Sequence, residues 1–306
     1  MYYFIINPKS RSGAGLKLWQ KVHELLSAEH VLFRSFFTKC PGHATSLSER
    51  ISDHLKSGDT LVVLGGDGTL NEVFNGLKYP QITTFAYIPT GSGNDFARGM
   101  GLATDIREAV KAILSPSEIR KLDICRCRTE NSRKKFGISS GLGFDAGICH
   151  EALSSPLKNF LNKIKLGKLT YTIIALRQLL FFRPFTLQII TDGQKKATFK
   201  KVYFAAAMNL KYEGGGFQFC PDAEPDDGYL DLFLVHNLPK PKILLLLPTA
   251  FWGKHTRFKG IRLLRCRRAL LLSDRELPVH IDGESAGFSS SVLMTASSEQ
   301  LNVIVK

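Results

Sequence analysis

A glycine-rich segment with a central carboxylate gives the clearest indication of chemistry in this chain of 306 residues. Residues 65–71 read Gly-Gly-Asp-Gly-Thr-Leu-Asn and follow the apolar run 60–64, which predicts a buried strand that ends in a turn. Glycines let the backbone approach an anion, and the helix expected from Leu70 to Leu77 adds N–H groups and a dipole that favour phosphate. Asp67 suits a cation that accompanies the phosphate, or a hydroxyl that must lose its proton. The segment therefore indicates nucleotide-dependent phosphoryl transfer.

A second turn of similar composition follows the next predicted strand. Residues 89–95 read Pro-Thr-Gly-Ser-Gly-Asn-Asp, and Thr90 with its neighbours could complete a phosphate or ribose cradle. Asn7 and Thr38 follow the first two predicted strands, so they could line the same crevice, although each alone is more often a turn or cap residue. The chain lacks the G-x-x-x-x-G-K-[ST] pattern, which excludes a P-loop protein.

Two acidic segments lie in the second half of the chain. Residues 221–231, PDAEPDDGYLD, could hold a hard cation through carboxylate and carbonyl oxygens, and a plain Asp-Gly turn is an equal alternative. Residues 280–284, HIDGE, offer Asp282 and Glu284, either of which could accept a proton from an attacking hydroxyl. The alternative is again an Asp-Gly turn, and only the nucleotide motif upstream favours catalysis here.

The order of predicted elements indicates two domains. Strands and helices alternate up to about Leu122, which is typical of a parallel, Rossmann-like α/β sheet. Beyond that point short strands predominate and predict an antiparallel β-sandwich or barrel, with helices expected at 146–152, 157–180 and 241–252. We therefore expect an α/β nucleotide domain over 1–122 and a β-sandwich domain over 123–290. The junction of two domains is a common place for an active site.

The charge of the chain is unevenly distributed. The net charge is +14, of which residues 1–123 contribute +2 and the remainder +12. Ten basic residues and one acid lie in 157–201, and seven basic residues and no acid lie in 254–268; both runs are interleaved with apolar residues. Such runs suit an anionic membrane surface, where each basic residue contributes about 1 kcal/mol. No recognition-helix, RRM or zinc-finger pattern supports nucleic-acid binding.

The remaining composition indicates a cytosolic protein. The six cysteines form no C-x-x-C pair, and no zinc-ligand spacing accompanies them, which favours reduced and mostly buried thiols. The N-terminus has the composition of a strand and lacks the features of a signal peptide. The longest apolar stretch, 243–252, is too short to span a bilayer. We expect a cytoplasmic protein that associates peripherally with membranes.

The motifs taken together resemble those of a known family. GGDGTLNEV (65–73), PTGSGNDFAR (89–98), PDAEPDDGYLDLF (221–233) and IDGE (281–284) occur in this order over nearly the whole chain. They resemble the diacylglycerol kinase catalytic family and, more narrowly, small bacterial lipid kinases related to sphingosine and ceramide kinases. The opening NPKSRSGAG (7–15) is similar to the family's Asn-Pro start, but its first glycine lies further from the proline.

The resemblance implies ATP-dependent phosphorylation of a lipid hydroxyl, with Mg²⁺, by an α/β domain and a β-sandwich domain. It also implies that the C-terminal segment 291–306 returns to the first domain. The ATP-binding residues carried over are Asn7, Thr38, Gly65, Gly66, Asp67, Gly68, Thr69, Leu70, Asn71 and Thr90. A structural magnesium would use Asp227 with carbonyls near Glu224 and Tyr229. The general base would be Asp282, Glu284 or Asp67, and Asp67 could instead organise a second magnesium.

Two other functions and several details stay open at this stage. A NAD kinase shares the Gly-Gly-Asp-Gly-Thr turn, but residues 89–95 differ from its Thr-Pro-Thr-Gly-Ser-Thr arrangement. A non-catalytic regulator that binds lipid or nucleotide could keep the same fold; retention of Asp67, Asp227, Asp282 and Glu284 speaks against it. The acceptor could be diacylglycerol, a sphingoid base, phosphatidylglycerol or a polyprenol. The oligomeric state also stays open, with a homodimer as one alternative.

Overall fold

A computed structural model describes residues 1–154 and 176–306 of the chain. In the first part, strands and helices alternate. The strands are β1 (Tyr2–Ile6), β2 (Phe33–Phe37), β3 (Thr60–Gly65), β4 (Thr84–Pro89) and β5 (Ile119–Asp123). The helices are α1 (Ser10–Gly13), α2 (Gly15–Ala28), α3 (His43–Ser52), α4 (Asp67–Gly76), α5 (Asp95–Met100) and α6 (Ile106–Leu114), with a short 3₁₀ turn at Pro80–Ile82.

The second part consists mainly of strands. They are β6 (Cys125–Arg128), β7 (Arg133–Phe136), β8 (Ser139–Gly143), β9 (Phe185–Thr191), β10 (Lys195–Met208), β11 (Leu230–His236), β12 (Ile261–Cys266), β13 (Arg268–Ile281), β14 (Glu284–Thr295) and β15 (Gln300–Ile304). Helices α7 (Phe144–Ser154) and α8 (Lys240–Leu246) accompany them, with 3₁₀ turns at Leu247–Trp252 and Lys254–Arg257. None of the helices in 1–154 and 176–306 is long and apolar enough to cross a bilayer.

The first sheet is mostly parallel and has the strand order β2-β1-β3-β4-β15-β5. Its central strand β3 is buried along its whole length, as expected for an apolar strand covered on both faces. Helix α2 buries Trp19, Val22 and Leu26, whose spacing of three and four residues gives it one apolar face against the sheet. The predicted Rossmann-like α/β architecture is confirmed.

The second sheet is antiparallel and has the order β12-β11-β10-β8-β13-β14-β6-β7, with β9 paired to both β10 and β13. Buried side chains form one core on each side of it. Strands β13 and β14 form a long hairpin whose turn residues, Asp282 and Gly283, both have positive φ (48° and 78°). Two positive φ angles in a two-residue loop match the twist of the strands, so this turn has a fixed geometry.

The chain passes between the two sheets twice. It leaves the first sheet after β5 and begins β6 of the second sheet two residues later. At the C-terminus, β15 inserts between β4 and β5, whereas β14, which extends to Thr295, belongs to the second sheet.

Several elements differ from the sequence-based expectations. Helix α5 was not predicted, because Gly93 and Asn94 before it were interpreted as part of a turn. The long β13–β14 hairpin carries polar and charged residues that obscure the alternation of buried side chains in the sequence. The segment 241–252 is a helix followed by a 3₁₀ turn, with Pro248 at the change. Most of the helix predicted over 157–180 lies outside the described residues.

Candidate active site

Strand pairing brings the two glycine-rich turns together. Strands β3 and β4 are parallel, with Gly65 opposite Pro89, so both turns begin at the same level of the sheet edge. The N–H of Thr90 donates to the carbonyl of Gly65 at 2.8 Å. A Cβ built on Gly91 would lie only 3.0 Å from Cα of Gly66, so the close approach needs glycine. The two turns therefore form one site, at the carboxyl ends of parallel strands where open α/β sheets bind ligands.

Asp67 is the first residue of α4 and lies between the two turns. Its Oδ2 accepts from the N–H of Asp95 at 3.1 Å, whereas its Oδ1 is buried and has no hydrogen-bond partner among the described residues. Burial, followed by repulsion from the Asp95 carboxylate, raises the pKa of Asp67 to about 6. An acceptor atom buried without a donor is costly, so this oxygen is suited to a cation or to a proton from a ligand.

Asp95 is a residue of the site that sequence reasoning missed, although it closes the predicted second turn. It accepts from the guanidinium of Arg98 at 2.9 Å and from the N–H of Gly215 at 2.8 Å, and burial raises its pKa. Gly215 belongs to the second half of the chain. Asp95 therefore joins the two halves directly beside Asp67, and the two carboxylates form an acidic pair.

Hydroxyl and amide side chains connect the ends of the strands around these turns. The Asn7 amide donates to Thr69 Oγ1 at 2.8 Å, and the Thr90 hydroxyl donates to Ser10 Oγ at 2.8 Å. The N–H of Thr38 donates to the carbonyl at the end of β1. Asn7, Thr38, Thr69 and Thr90 thus occupy one edge of the first sheet, as the sequence predicts. The first N–H groups of α4 lack intrahelical acceptors, as in a helix N-terminus that can bind an anion.

Two residues of the first motif lie elsewhere than expected. Leu70 is fully buried in the core, and its N–H donates to Gly66 within the helix, so its side chain cannot contact a nucleotide. Asn71 faces the second sheet: its amide donates to Asp282 Oδ2 at 2.7 Å and to the carbonyl of Lys135 at 3.1 Å. Both residues fix α4 in position, and their role in ATP binding stays a prediction.

Asp282 is buried at the junction of the two sheets. Besides the bond from Asn71, it accepts from the N–H groups of Gly137, Ile138 and Ser139 at 3.1, 2.8 and 3.0 Å. Burial raises its pKa, and the hydrogen bonds act in the opposite direction. With four donors around it, this carboxylate connects α4 to β8, and its role as a general base stays a prediction.

Glu284 lies across the β13–β14 turn from Asp282 and reaches the first glycine turn. A Cβ on Gly68 would collide with Glu284 Oε1. The carboxylate of the second half therefore rests against Gly68, the residue that follows Asp67 in the first glycine turn. Of the three predicted candidate bases, Asp67 and Glu284 lie at this turn, whereas Asp282 lies at the junction of the two sheets.

A buried histidine cluster supports the turn that carries Glu284. His280 Nε2 lies 2.9 Å from Asp145 Oδ2 and 3.1 Å from Glu213 Oε1. Burial alone would lower the pKa of His280, but the two carboxylates raise it, and burial together with Asp145 raises the pKa of Glu213. Gly141 leaves room for the ring, because a Cβ there would lie 2.7 Å from Nε2. Sequence reasoning missed this set, whose members come from three separate segments.

The acidic loop 221–231 makes protein contacts through the carboxylate of Asp227, a predicted metal ligand, and through the carboxylate of Glu224. Asp227 accepts from the N–H of Tyr229 at 2.9 Å and pairs with Arg265. Glu224 lies 3.7 Å from Arg120 and 3.5 Å from Lys211. Within 1–154 and 176–306, the one group of potential ligands with metal-like spacing is the Asp145, Glu213 and His280 set. A magnesium at Glu224, Asp227 and Tyr229 stays a prediction.

Comparison with known proteins agrees with this architecture. Residues 1–127 match the diacylglycerol kinase catalytic domain, and residues 147–305 match the YegS C-terminal NAD kinase beta sandwich-like domain. A Bacillus subtilis protein named "Putative lipid kinase YtlR" is 32% identical and covers 94% of both chains. A diacylglycerol kinase of Staphylococcus carnosus is 30% identical over 92% of this chain and 88% of its own. A diacylglycerol kinase structure from Bacillus anthracis superposes with a TM-score of 0.72 at 22% identity, covering 100% and 96% of the chains.

The chain combines a glycine-rich turn, a carboxylate of the second sheet beside that turn, and two matched domains. Together these features define a kinase with a mostly parallel α/β half and an antiparallel β half. The chain belongs to the diacylglycerol kinase family and is a lipid kinase. The family implies ATP as the phosphoryl donor and a lipid as the acceptor.

Proposed function

We propose that this enzyme transfers the γ-phosphoryl group of ATP to the hydroxyl of a diacylglycerol or a similar lipid, at a membrane surface and with Mg²⁺. The observation that carries the proposal lies at the first glycine turn, where Asp67 has a buried oxygen without a partner among the described residues and Glu284 rests against Gly68, the next residue. One half of the molecule supplies the phosphate-binding backbone, and the other supplies a carboxylate on the side from which an acceptor would approach.

The ATP phosphates would lie on the backbone of residues 65–69, at the N-terminus of α4. Free N–H groups and the helix dipole favour negative charge there. Gly66, Gly68 and Gly91 keep this surface free of side chains, and Thr90 with Asn7 extends its polar edge. Positioning and charge stabilisation account for most of the catalysis in phosphoryl transfer.

Asp67 and Asp95 fit a magnesium ion. Both are carboxylates, Asp95 is buried, and the buried Oδ1 of Asp67 lacks a donor among the described residues; carboxylate oxygens are the ligands that Mg²⁺ prefers. When bound, the ion would neutralise charge on the phosphates. It would also offset the repulsion from Asp95 that contributes to the raised pKa of Asp67.

Glu284 is our candidate for the general base. The acceptor oxygen attacks the γ-phosphorus, the bond from that phosphorus to the β–γ bridging oxygen breaks, ADP leaves, and Glu284 receives the hydroxyl proton. Asp282 acts through position, because its oxygens already accept four hydrogen bonds. Asp67 is assigned to the metal and the phosphates.

A basic and apolar surface supports action at a membrane. Phe251, Trp252 and Phe258 are exposed, and Lys254, Arg257 and Lys259 lie among them. Exposed aromatic rings next to cations suit the interface of an anionic bilayer. The first predicted basic run, 157–201, lies partly outside the described residues.

The test is transfer of labelled γ-phosphate to a panel of acceptors in mixed micelles with Mg²⁺. The acceptors are diacylglycerol, a sphingoid base, phosphatidylglycerol, a polyprenol and NAD. Wild type is compared with Asp67→Asn and with Asp53→Asn, which removes a carboxylate exposed on the surface. We expect label in a lipid, loss with Asp67→Asn and full activity with Asp53→Asn.

A second arm uses vesicles and varies anionic lipid and salt. We expect activity to rise with anionic lipid and to fall with salt, because the attraction is screened. Arg257→Gln and Trp252→Ala should weaken vesicle binding by several-fold. Label in NAD alone, or transfer that persists in Asp67→Asn, would contradict the proposal.

A further inference from the structure

A cavity of about 380 Å³ lies outside the nucleotide site, between the β6–β7 hairpin and the C-terminal end of α4. Five cationic residues line it together with Asn75: Arg126, Arg128, Arg133, Lys134 and Lys135. We propose that this cavity binds a dianionic phosphate ester. The proposal does not depend on which lipid the enzyme phosphorylates.

The strand register places like charges directly opposite each other. Strands β6 and β7 are antiparallel, with Arg126 opposite Lys135 and Arg128 opposite Arg133. The intervening residue Cys127 is buried, so the four cationic side chains belong to the other face of the hairpin. Like charges in directly opposed positions destabilise a sheet, which makes this arrangement unfavourable unless an anion compensates it.

The described part of the protein provides little of that compensation. Arg126 pairs with Glu299 at 2.6 Å, and Lys135 donates to the carbonyl of Leu77 at 2.6 Å. Arg128, Arg133 and Lys134 make no ion pair and no side-chain hydrogen bond within residues 1–154 and 176–306. Two guanidinium groups on a concave surface can each bind phosphate oxygens in a bidentate manner.

The cavity is connected to the active site by short contacts. The N–H of Lys135 donates to Asn75 Oδ1 at 2.8 Å, and the Asn71 amide donates to the Lys135 carbonyl at 3.1 Å. Residues 137–139, which follow β7, supply the N–H groups that hold Asp282. An anion that neutralises the hairpin would therefore steady the same backbone that supports the catalytic turn.

The experiment measures thermal unfolding of the full chain while inorganic phosphate is titrated at constant ionic strength. The titration is carried out without nucleotide, and sodium chloride is the reference. We expect phosphate to raise Tm in wild type and its affinity to fall at least tenfold in the Arg128→Gln, Arg133→Gln double variant. Arg107→Gln, which removes an exposed arginine of α6, should behave as wild type.

Without phosphate, the double variant should unfold at the wild-type temperature or above it, because repulsion within the hairpin is relieved. That result also shows that the variant is folded. A wild-type Tm that responds equally to phosphate and chloride would overturn the proposal, as would an unchanged phosphate affinity in the double variant.

Flotation with vesicles separates the two sources of a phosphate ester. Phosphatidylcholine vesicles that contain phosphatidate are compared with vesicles that contain phosphatidylglycerol, at equal negative charge. If phosphatidate vesicles retain the wild-type protein but not the double variant, the phosphate ester that binds in the cavity is a lipid headgroup. If the vesicles retain both proteins equally and the variant has lost the phosphate-dependent Tm shift, the ligand of the cavity is a free phosphate compound.

Discussion

The two turns of the active site share the dipeptide Asp-Gly but place it in opposite environments. Asp67-Gly68 begins a helix of the first half, and Asp282-Gly283 forms a hairpin turn of the second half. Asp67 has an oxygen without a partner among the described residues, whereas Asp282 accepts four hydrogen bonds. Burial therefore has different consequences in the two turns: it leaves one carboxylate ready for a ligand and makes the other a structural connection.

The difference arises from the elements that surround each turn. At the start of α4, the charged group that most raises the pKa of Asp67 is another acid, Asp95. At the hairpin, three consecutive N–H groups of residues 137–139 converge on one carboxylate. A charged group is tolerated inside a protein when its hydrogen-bonding capacity is met. The site thus keeps its unfavourable carboxylate where chemistry is expected.

Asp67→Asn should have the largest effect on activity, a loss of about 10³-fold, because a buried charge that holds a cation is removed. Its effect on stability should have the opposite sign. Without divalent cations at pH 7.5, the variant should be more stable than wild type by about 1–3 kcal/mol, since the wild-type pKa is raised from 3.8 to about 6. Activity assays and urea denaturation in EDTA measure the two effects.

The pH dependence gives the check on that interpretation. A folded-state pKa above the unfolded value means that wild type binds the proton more tightly when folded. Wild type therefore loses stability as pH rises from about 4 through 6, and the advantage of Asp67→Asn should shrink as pH falls through that window. A constant difference between the two proteins from pH 4 to 8 would contradict the raised pKa.

The sequence predicts those parts of the site that depend on neighbouring residues, and it does not predict those that depend on contacts between segments far apart in the chain. The glycine turns and Asp67 were predicted, because turn composition and strand order are local signals. Asp145, Glu213 and His280 were not, because they meet only when three segments pack together. The separate roles of Asp67 and Asp282 could not be predicted either, since the donors to Asp282 come from residues more than 140 positions away.

Asp282→Asn should have the largest effect on stability. The amide can no longer accept from three N–H groups as a carboxylate does, and its NH₂ faces other donors, so we expect a loss of about 2–4 kcal/mol. For the fraction of Asp282→Asn that remains folded, activity at saturating substrate should fall less than it does in Asp67→Asn. Chemical denaturation followed by single-turnover assays at low temperature would separate the two.

Asp274→Asn is the control for this prediction, because Asp274 lies on β13, the strand that leads into the Asp282 turn, and its carboxylate is exposed to solvent. It should lose far less stability. If Asp67→Asn and Asp282→Asn lost activity to the same extent and neither changed in stability, the two turns would have the same role. The distinction between a ligand-binding and a structural carboxylate would then be wrong.

The glycines that follow the two aspartates sharpen the comparison with the smallest changes. Gly283 has φ of 78°, and an added methyl group there would meet open space. Gly283→Ala should therefore lower the free energy of unfolding by about 1 kcal/mol through backbone strain and leave kcat nearly unchanged.

In Gly68→Ala the methyl group would meet the Glu284 carboxylate instead. Because a flexible side chain can move aside and alanine favours a helix, stability should be kept or slightly raised. Activity should nevertheless fall about tenfold, which is about 1.4 kcal/mol in the activation barrier, since Glu284 is displaced from the turn. Thermal unfolding and kcat are measured for both variants. If Gly283→Ala lost more activity than Gly68→Ala, the contact between Glu284 and the first turn would not be the one that matters for catalysis.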